Sequence, residues 1–128
     1  MGSHHRMART GLITALLLAG GAWAGQADVL GAKVRANNDG SYRIAVTLRH
    51  HDTGWDHYAN RWEVLGPEGQ VIATRLLLHP HIDEQPFTRS LGKVRIPAGW
   101  TWVKIRAHDL VHGYGGRELT LSIPRKPR

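Results

Sequence analysis

Cysteine is absent from this sequence of 128 residues, and that absence removes several classes of protein. Without a thiol the chain cannot form a disulfide scaffold, a zinc–thiolate site, an iron–sulfur cluster or a cysteine nucleophile. The anchor of a bacterial lipoprotein also needs a cysteine. Methionine is scarce as well, with Met1 and Met7 both near the start. The shortage of soft ligands argues against a copper(I) site.

Long apolar runs and blocks of like charge are absent too. The most apolar stretch, residues 12–22, is shorter than the ~20 residues that a membrane span needs. Lysine and arginine outnumber aspartate and glutamate by 17 to 10, but these charges are scattered along the chain. We therefore expect no membrane span and no nucleic acid partner. Apolar residues make up 41% of the chain, which is enough for a folded core.

The first 24 residues have the order of a secretory signal peptide. Arg6 and Arg9 precede the apolar run, and Ala22-Trp23-Ala24 is a small-x-small cleavage site. Residues 1–6 resemble a tag remnant or an upstream start, so their histidines are left out of every site argument. The sequence thus predicts a tag remnant plus signal peptide at 1–24. It predicts one β-sandwich domain at 25–128, located in the periplasm or secreted.

The rest of the chain shows the alternation of strands and no sustained helical period. Residues 42–48 alternate clearly, and turn signals at 37–40 and 66–69 separate such segments. The pattern predicts seven strands, at residues 29–36, 41–50, 61–65, 70–78, 87–96, 101–107 and 117–123. We therefore expect an all-β, single, seven-stranded antiparallel sandwich of the immunoglobulin-like class, with Trp62 in its core. The missing disulfide favours the fibronectin type III-like variant.

Seven histidines follow the expected cleavage site, and each lies at the end of a predicted strand or in the loop after it. They are His50, His51, His57, His79, His81, His108 and His112. Successive strands of an antiparallel sandwich alternate in direction. The loops at 51–59, 79–86 and 108–116 therefore share one end of the predicted fold, where recognition loops of such sandwiches lie.

Imidazole suits zinc and copper(II), so this group of histidines predicts a metal site. His79 and His81 are two residues apart, a spacing that places both rings on one face of a strand. The expected ligands are His79, His81, His108 and His112, followed by His51 and His57. Asp52, Asp109 and Glu84 could ligate the ion or support a ligand. No spacing matches a standard zinc motif, so the hypothesis depends on the group as a whole. The predicted role is periplasmic metal binding or handling.

Two other interpretations stay open. In the first, the same loops form a binding module without metal, holding a peptide, a glycan or a periplasmic protein partner. Trp55, Tyr58 and Tyr114 would anchor that ligand, and Arg61 or Arg89 would meet an acidic group. In the second, the histidines only connect one loop to another by hydrogen bonds.

Catalysis is the least favoured interpretation, although histidine and carboxylates in one cleft allow acid–base chemistry. Ser41, Ser90 and Ser122 lie inside predicted strands or at their start, and none occupies a nucleophile elbow. A serine hydrolase is therefore not expected.

Three stretches of the chain, residues 50–59, 78–90 and 107–116, look like signature motifs. Together they resemble those of a family of small exported bacterial proteins of unassigned role with an immunoglobulin-like or fibronectin type III-like sandwich. The resemblance extends over residues 25–128. It implies export and no particular activity, so the chemistry above rests on the residues themselves.

Overall fold

The computed structural model describes residues 25–124, which form seven strands in two antiparallel sheets. The strands are β1 (Asp28–Ala36), β2 (Tyr42–Arg49), β3 (Ala59–Leu65), β4 (Val71–Leu76), β5 (Phe87–Val94), β6 (Trp102–Asp109) and β7 (Leu119–Ser122). This arrangement confirms the predicted all-β sandwich. The expected signal peptide, 1–24, lies outside the described residues.

One sheet has the strand order β1-β2-β5, and the other has the order β4-β3-β6-β7. Every pairing is antiparallel, so the end of one strand lies beside the start of its neighbour. Leu48 pairs with Phe87 in the first sheet, and Ala59 pairs with Asp109 in the second. The loops 50–58, 77–86 and 110–118 therefore lie at one end, which we call the histidine end. The predicted grouping of these loops is confirmed.

The core lies between the two sheets and contains inward-facing residues from both. Trp62 at the centre of β3 has no exposed surface, as predicted. Around it pack buried aliphatic side chains from the facing strands, including Ile44, Val46, Leu48, Val64, Val103 and Ile105. Burying a tryptophan of this size among aliphatic groups stabilises a domain by several kcal/mol, on the order of 3–5 by truncation to alanine.

The end opposite the histidines is closed by short turns. The amide of Asn37 donates to the carbonyl of Ser41 at 2.8 Å, and the amide of Gly66 donates to that of Gln70 at 2.8 Å. Both turns were predicted, the first from its asparagine, aspartate and glycine residues at 37–40 and the second from its glycine and proline residues at 66–69. These short turns help to fix the register of the strands they connect. The longer loops lie at the histidine end.

Two strands run further than their sequence pattern suggests. We expected β3 to begin at residue 61 and β6 to end at residue 107, but they reach Ala59 and Asp109. The pairing of Ala59 with Asp109 and of Arg61 with His108 accounts for the extension. Because β6 extends to Asp109, this residue belongs to a strand rather than to a loop. Its carboxylate is buried between the sheets.

Candidate metal centre

The histidine end is closed by two polar residues that continue the inward-facing rows of two strands. On β2 the row of Ile44, Val46 and Leu48 continues to His50, which is 1% exposed. On β6 the row of Val103, Ile105 and Ala107 continues to Asp109, which is fully buried. These strands belong to opposite sheets, so the two side chains meet across the top of the core. His50 Nε2 lies 3.2 Å from Asp109 Oδ2.

Asp52 holds the other side of the same imidazole. Its Oδ1 lies 2.5 Å from His50 Nδ1 and also accepts the amide of Ala59 at 3.1 Å. Its Oδ2 accepts the amide of His81 at 2.6 Å. Burial of the ring acts to lower the pKa of His50, but the bonds and charges of Asp52 and Asp109 outweigh it and raise that pKa. Two carboxylates therefore favour the cationic ring in the metal-free protein.

Asp109 uses its two oxygens differently. Oδ1 accepts the amides of Val111 at 2.8 Å and of His112 at 2.5 Å. Oδ2 faces His50 Nε2 at 3.2 Å, His57 Nε2 at 3.7 Å and His112 Nδ1 at 3.4 Å. Burial acts to raise the pKa of Asp109, but the two amides and the neighbouring histidines lower it. The carboxylate is thus held ionised, with one oxygen surrounded by imidazole nitrogens.

His50, His57 and Asp109 together could hold a metal ion. Each offers one ligand atom, and these atoms all lie within 4.8 Å of one another. His57 Nε2 is buried and has no hydrogen-bond partner among residues 25–124, since 3.7 Å to Asp109 is too long for such a bond. A buried polar atom without a partner is costly, and a bound cation would satisfy it.

The neighbouring ring of His112 extends this group. Its centroid lies 4.9 Å from that of His57, and the centroid of His57 lies 4.8 Å from that of His50. The His112 side chain is 39% exposed, so it lies at the outer edge of the group. We call His50, His57, Asp109 and His112 the His/Asp cluster. His57 and His112 were expected site residues, and the structure brings them together.

His79 and His81 lie together, but on the other side of Asp52. Their ring centroids are 4.7 Å apart, and His81 stacks on Phe87 at 4.0 Å. Arg89 Nη2 lies 2.9 Å from His81 Nε2. Burial, followed by the charges of Arg89 and His79, lowers the pKa of His81. The guanidinium beside its nitrogen makes this pair a poorer place for a cation than the His/Asp cluster.

His108 and His51 lie apart from that cluster. On the outer face of the four-stranded sheet, His108 Nδ1 is 2.7 Å from Asn60 Oδ1 and the ring is 4.8 Å from that of Tyr114. Burial and the nearby Arg61 lower the pKa of His108. His51 is exposed in the loop after β2. The six expected ligands are therefore divided among four places: the His/Asp cluster, the His79 and His81 pair, the outer face with His108, and the exposed loop with His51.

Sequence reasoning included His50 in the group of seven but did not choose it as a ligand. The signal was nevertheless present, because residues 42, 44, 46 and 48 set an inward phase that continues to 50. Of the carboxylates suggested as ligands or supports, Asp109 and Asp52 contact the two ring nitrogens of His50. Glu84 instead pairs with Arg89 at 3.2 Å.

A third buried carboxylate, that of Glu63, lies on the outer face of the four-stranded sheet. Glu63, 5% exposed, accepts from Arg106 Nε at 2.7 Å, from Arg61 Nε at 2.9 Å and from the Tyr114 hydroxyl at 2.9 Å. The Arg106 guanidinium lies 3.8 Å from the Tyr114 ring centroid. Tyr114 and Arg61, suggested as anchors for a partner, are thus already bonded within the protein.

The fold and these side chains define a class: an all-β, two-sheet domain with a buried His/Asp group at one end that could hold a metal. The chain is 38% identical over 97 residues to a curated protein of Halomicrobium mukohataei named "Putative lipoprotein". The similarity covers 76% of this chain and 47% of that protein, so the chain spans about half the length of the curated relative. The relative's name states no activity.

No family model matches the chain, and no solved structure matches it. Among residues 25–124 there is no helix long and apolar enough to cross a membrane.

Proposed function

We propose that this protein binds a transition-metal ion, zinc or copper(II), through His50, His57 and Asp109, with His112 as a fourth ligand. One observation carries the proposal: three imidazole nitrogens lie 3.2, 3.7 and 3.4 Å from the same carboxylate oxygen. Tetrahedral bonds of 2.0–2.1 Å separate ligand atoms by about 3.3–3.4 Å. The three distances from Asp109 Oδ2 bracket that spacing, whereas the ligand atoms of His50, His57 and Asp109 stand up to 4.8 Å apart. The imidazoles would therefore close around an ion as it binds.

The surroundings of His50 support the same function. A ligating histidine commonly donates its other ring N–H to a carboxylate, which fixes the tautomer and orients the ring. Asp52 Oδ1 stands 2.5 Å from His50 Nδ1, which leaves Nε2 directed at Asp109. A metal ion would replace the proton at Nε2 and leave the bond to Asp52 in place. The buried position would keep competing water away.

The test is metal content by mass spectrometry and calorimetric titration with zinc and with copper(II), on residues 25–128. This form lacks His4 and His5, which could bind metal on their own. We expect one ion per chain, with affinity lowered at least about tenfold by His57→Ala and by His112→Ala. His79→Ala and His108→Ala are matched controls and should bind normally.

Loss of the ion in the His79 and His108 variants alone would favour the ligands first expected from sequence. Absence of binding above background in every form would overturn the proposal.

We also propose that the protein is exported and that residues 1–24 are removed as a signal peptide. The small-x-small site before Gly25 supports this, and so does the name of the curated relative, since lipoproteins are exported. The proposal concerns export alone, since these 128 residues contain no cysteine. Mass spectrometry of protein from a periplasmic extract should show a chain beginning at Gly25. An intact leader on the exported protein would contradict the cleavage site.

We further propose that the sandwich belongs to the immunoglobulin-like class, as a fibronectin type III-like variant. The division of the strands into β1-β2-β5 and β4-β3-β6-β7, with a buried tryptophan on β3, supports this. An experimental structure with a different strand order would contradict it.

A binding module without metal is the second candidate, and one observation favours it. Five of the exposed large apolar side chains belong to the loops of the histidine end: Trp55, Leu78, Ile82, Leu110 and Val111. Trp55 is 65% exposed and packs edge-on against Tyr58 at 5.7 Å between centroids. Such a rim suits a peptide, a glycan or a periplasmic protein.

This alternative is tested by screening chelator-treated protein against peptide and glycan arrays. Ligands of the rim should be retained without metal and lost in Trp55→Ala. Ligands that bind Trp55→Ala equally well would argue against it.

A further inference from the structure

The first residue of the expected processed chain lies against the His/Asp cluster. A Cβ built on Gly25 would stand 3.3 Å from His112 Nε2, 3.4 Å from Cε1 and 3.6 Å from Cδ2. Gly25 therefore lies over the face of the His112 imidazole. The contact is around Nε2 of this ring, whose other nitrogen, Nδ1, is 3.4 Å from Asp109 Oδ2. A larger residue would press on the ring, whereas glycine leaves it undisturbed.

The segment that follows Gly25 is fixed in this position. The amide of Val29 donates to the carbonyl of Arg117 at 2.8 Å, and the amide of Arg117 donates to Asp28 Oδ1 at 2.7 Å. Ala27 is 1% exposed, and a side chain at Gly116 would overlap its carbonyl oxygen. The chain start is thus bound to the same 110–118 loop that carries His112.

Removal of the signal peptide would change the chemistry of this position. Water hydrolyses the peptide bond between Ala24 and Gly25 under the action of a signal peptidase. The carbonyl carbon of Ala24 takes the water oxygen and leaves as a carboxylate, and the Gly25 nitrogen takes a proton. An amide nitrogen has no basic lone pair, but the resulting α-amine has one.

We propose that the α-amino group of Gly25, created by signal-peptide removal, is a further ligand of the metal held by the His/Asp cluster. This inference rests on the proposed metal-binding function and on the proposed cleavage site. Export would then complete the site: the unprocessed chain offers imidazoles and a carboxylate, and the processed chain adds a primary amine. A site rich in nitrogen ligands is well suited to copper(II). Glycine also gives the amine the greatest freedom to turn toward the ion.

The test compares three forms of the chain with the same side chains. The first begins at Gly25 with a free amine, produced by a protease that cuts immediately before glycine. The second is the same chain acetylated at the Gly25 nitrogen. The third retains Ala24, so its free amine stands one residue further away. Each is titrated with copper(II) and with zinc, and the copper(II) complexes are compared by electron paramagnetic resonance.

We expect the free Gly25 form to bind copper(II) at least about tenfold more tightly than the acetylated and Ala24 forms, an effect typical of losing one ligand-shell partner. Its resonance spectrum should show one more nitrogen coupling, which changes when Gly25 carries ¹⁵N. A control tests whether the amine binds copper(II) without the His/Asp cluster. For this purpose His57→Ala is made in the free Gly25 form, and this substitution should abolish the tight binding.

Two outcomes overturn the inference. If all three forms bind equally and His57→Ala loses the ion, the amine is not a ligand while the His/Asp cluster remains the site. If the affinity gained from the free amine persists in His57→Ala, the amine acts independently of the cluster. Absence of binding in every form would overturn the proposed function as well.

Discussion

A single buried imidazole joins two segments of the chain at the histidine end. His50 and Asp52 lie in the loop that follows β2, and Asp109 ends β6. Asp52 also accepts the amides of Ala59 and His81, so its two oxygens receive three donors. Without the carboxylate of Asp52, the two amides and the imidazole would lack these hydrogen bonds. Both oxygens of this carboxylate are therefore held in place by hydrogen bonds.

Asp52→Asn replaces one acceptor oxygen with an amide nitrogen that faces an N–H group. We expect the free energy of unfolding to fall by about 1–3 kcal/mol, the usual effect of an unsatisfied buried donor. Urea denaturation of chelator-treated protein measures it. Asp56→Asn is the matched control in the same loop, where the side chain is exposed, and should change stability by less than about 0.5 kcal/mol. Equal effects from both variants would contradict the assigned role of Asp52.

Glu63 gives the protein an acid-sensitive ion network away from the His/Asp cluster. Burial acts to raise the pKa of Glu63, but its hydrogen bonds from Arg106, Arg61 and Tyr114 bring it below the ordinary 4.5. A lowered folded-state pKa means that this carboxylate stabilises the fold fully above the unfolded-state pKa. That contribution disappears as the pH falls from there through the folded-state pKa.

Glu63→Gln should lower the free energy of unfolding by about 1.5–3 kcal/mol near neutral pH, because it removes bonds to a charged acceptor. The difference from the parent protein should shrink as the pH falls below 4.5 toward the folded-state pKa, where Glu63 becomes neutral. Urea titrations at several pH values provide the comparison. A difference that stays constant across this range would show that charge is not the cause.

At the scale of elements, alternation made most of the fold predictable. The inward rows of β2 and β6 identified the core, and the turn residues at 37–40 and 66–69 separated the strands. The same rows end in His50 and Asp109. Inward-facing residues recur at every second position of a strand, so continuing each row by one more such position identifies two of the four residues of the His/Asp cluster. The antiparallel order then explains why the loops share one end.

The choice among the histidines could not be derived in this way. His79 and His81 have the more suggestive spacing, but the strand pairing brings Arg89 beside His81. Successive residues of a strand face opposite sides, so His108 faces outward because Asp109 faces inward. We expected β6 to end at residue 107, so the alternation was not extended to these two residues. Which side chains meet across two sheets depends on register and sheet packing, which local patterns do not contain.

The turn between β1 and β2 depends on one backbone conformation. Gly40 has φ = +89°, a left-handed value, whereas Gly99 in the turn before β6 has no such φ. A Cβ on either glycine would meet no atom within 4 Å, so the two positions differ in backbone rather than in space.

Gly40→Ala should therefore lower the free energy of unfolding by about 1–2 kcal/mol, the cost of a left-handed L-residue. In a domain of this size each kcal/mol shifts Tm by roughly 4–8 °C, so thermal unfolding by circular dichroism resolves it. Gly99→Ala should be neutral or slightly stabilising, since it only restricts the unfolded chain. The opposite ranking would show that space rather than φ limits the turn.

At the scale of the molecule, the two ends of the sandwich differ in structure. Short turns close one end, and side chains from distant parts of the chain meet at the other. His50 and Asp109 are 59 residues apart in sequence and become neighbours only when the two sheets pack. An ion held by them would bind the folded chain and have little affinity for the unfolded one. The proposed metal binding would therefore be coupled to folding.

The coupling predicts a stability gain set by mass action. At a free zinc concentration of 100 times Kd, the free energy of unfolding should rise by about 2.7 kcal/mol. Urea denaturation of residues 25–128 with zinc and with chelator measures the gain. His57→Ala should show at most about half of this gain, since an affinity at least about tenfold lower leaves zinc at no more than about 10 times Kd. The substitution removes the imidazole whose Nε2 has no other partner among the described residues. His108→Ala, outside the His/Asp cluster, should keep the full gain. A zinc effect that survives His57→Ala but vanishes in His108→Ala would place the ion on the outer face of the four-stranded sheet, because that is where His108 contacts Asn60 and Tyr114.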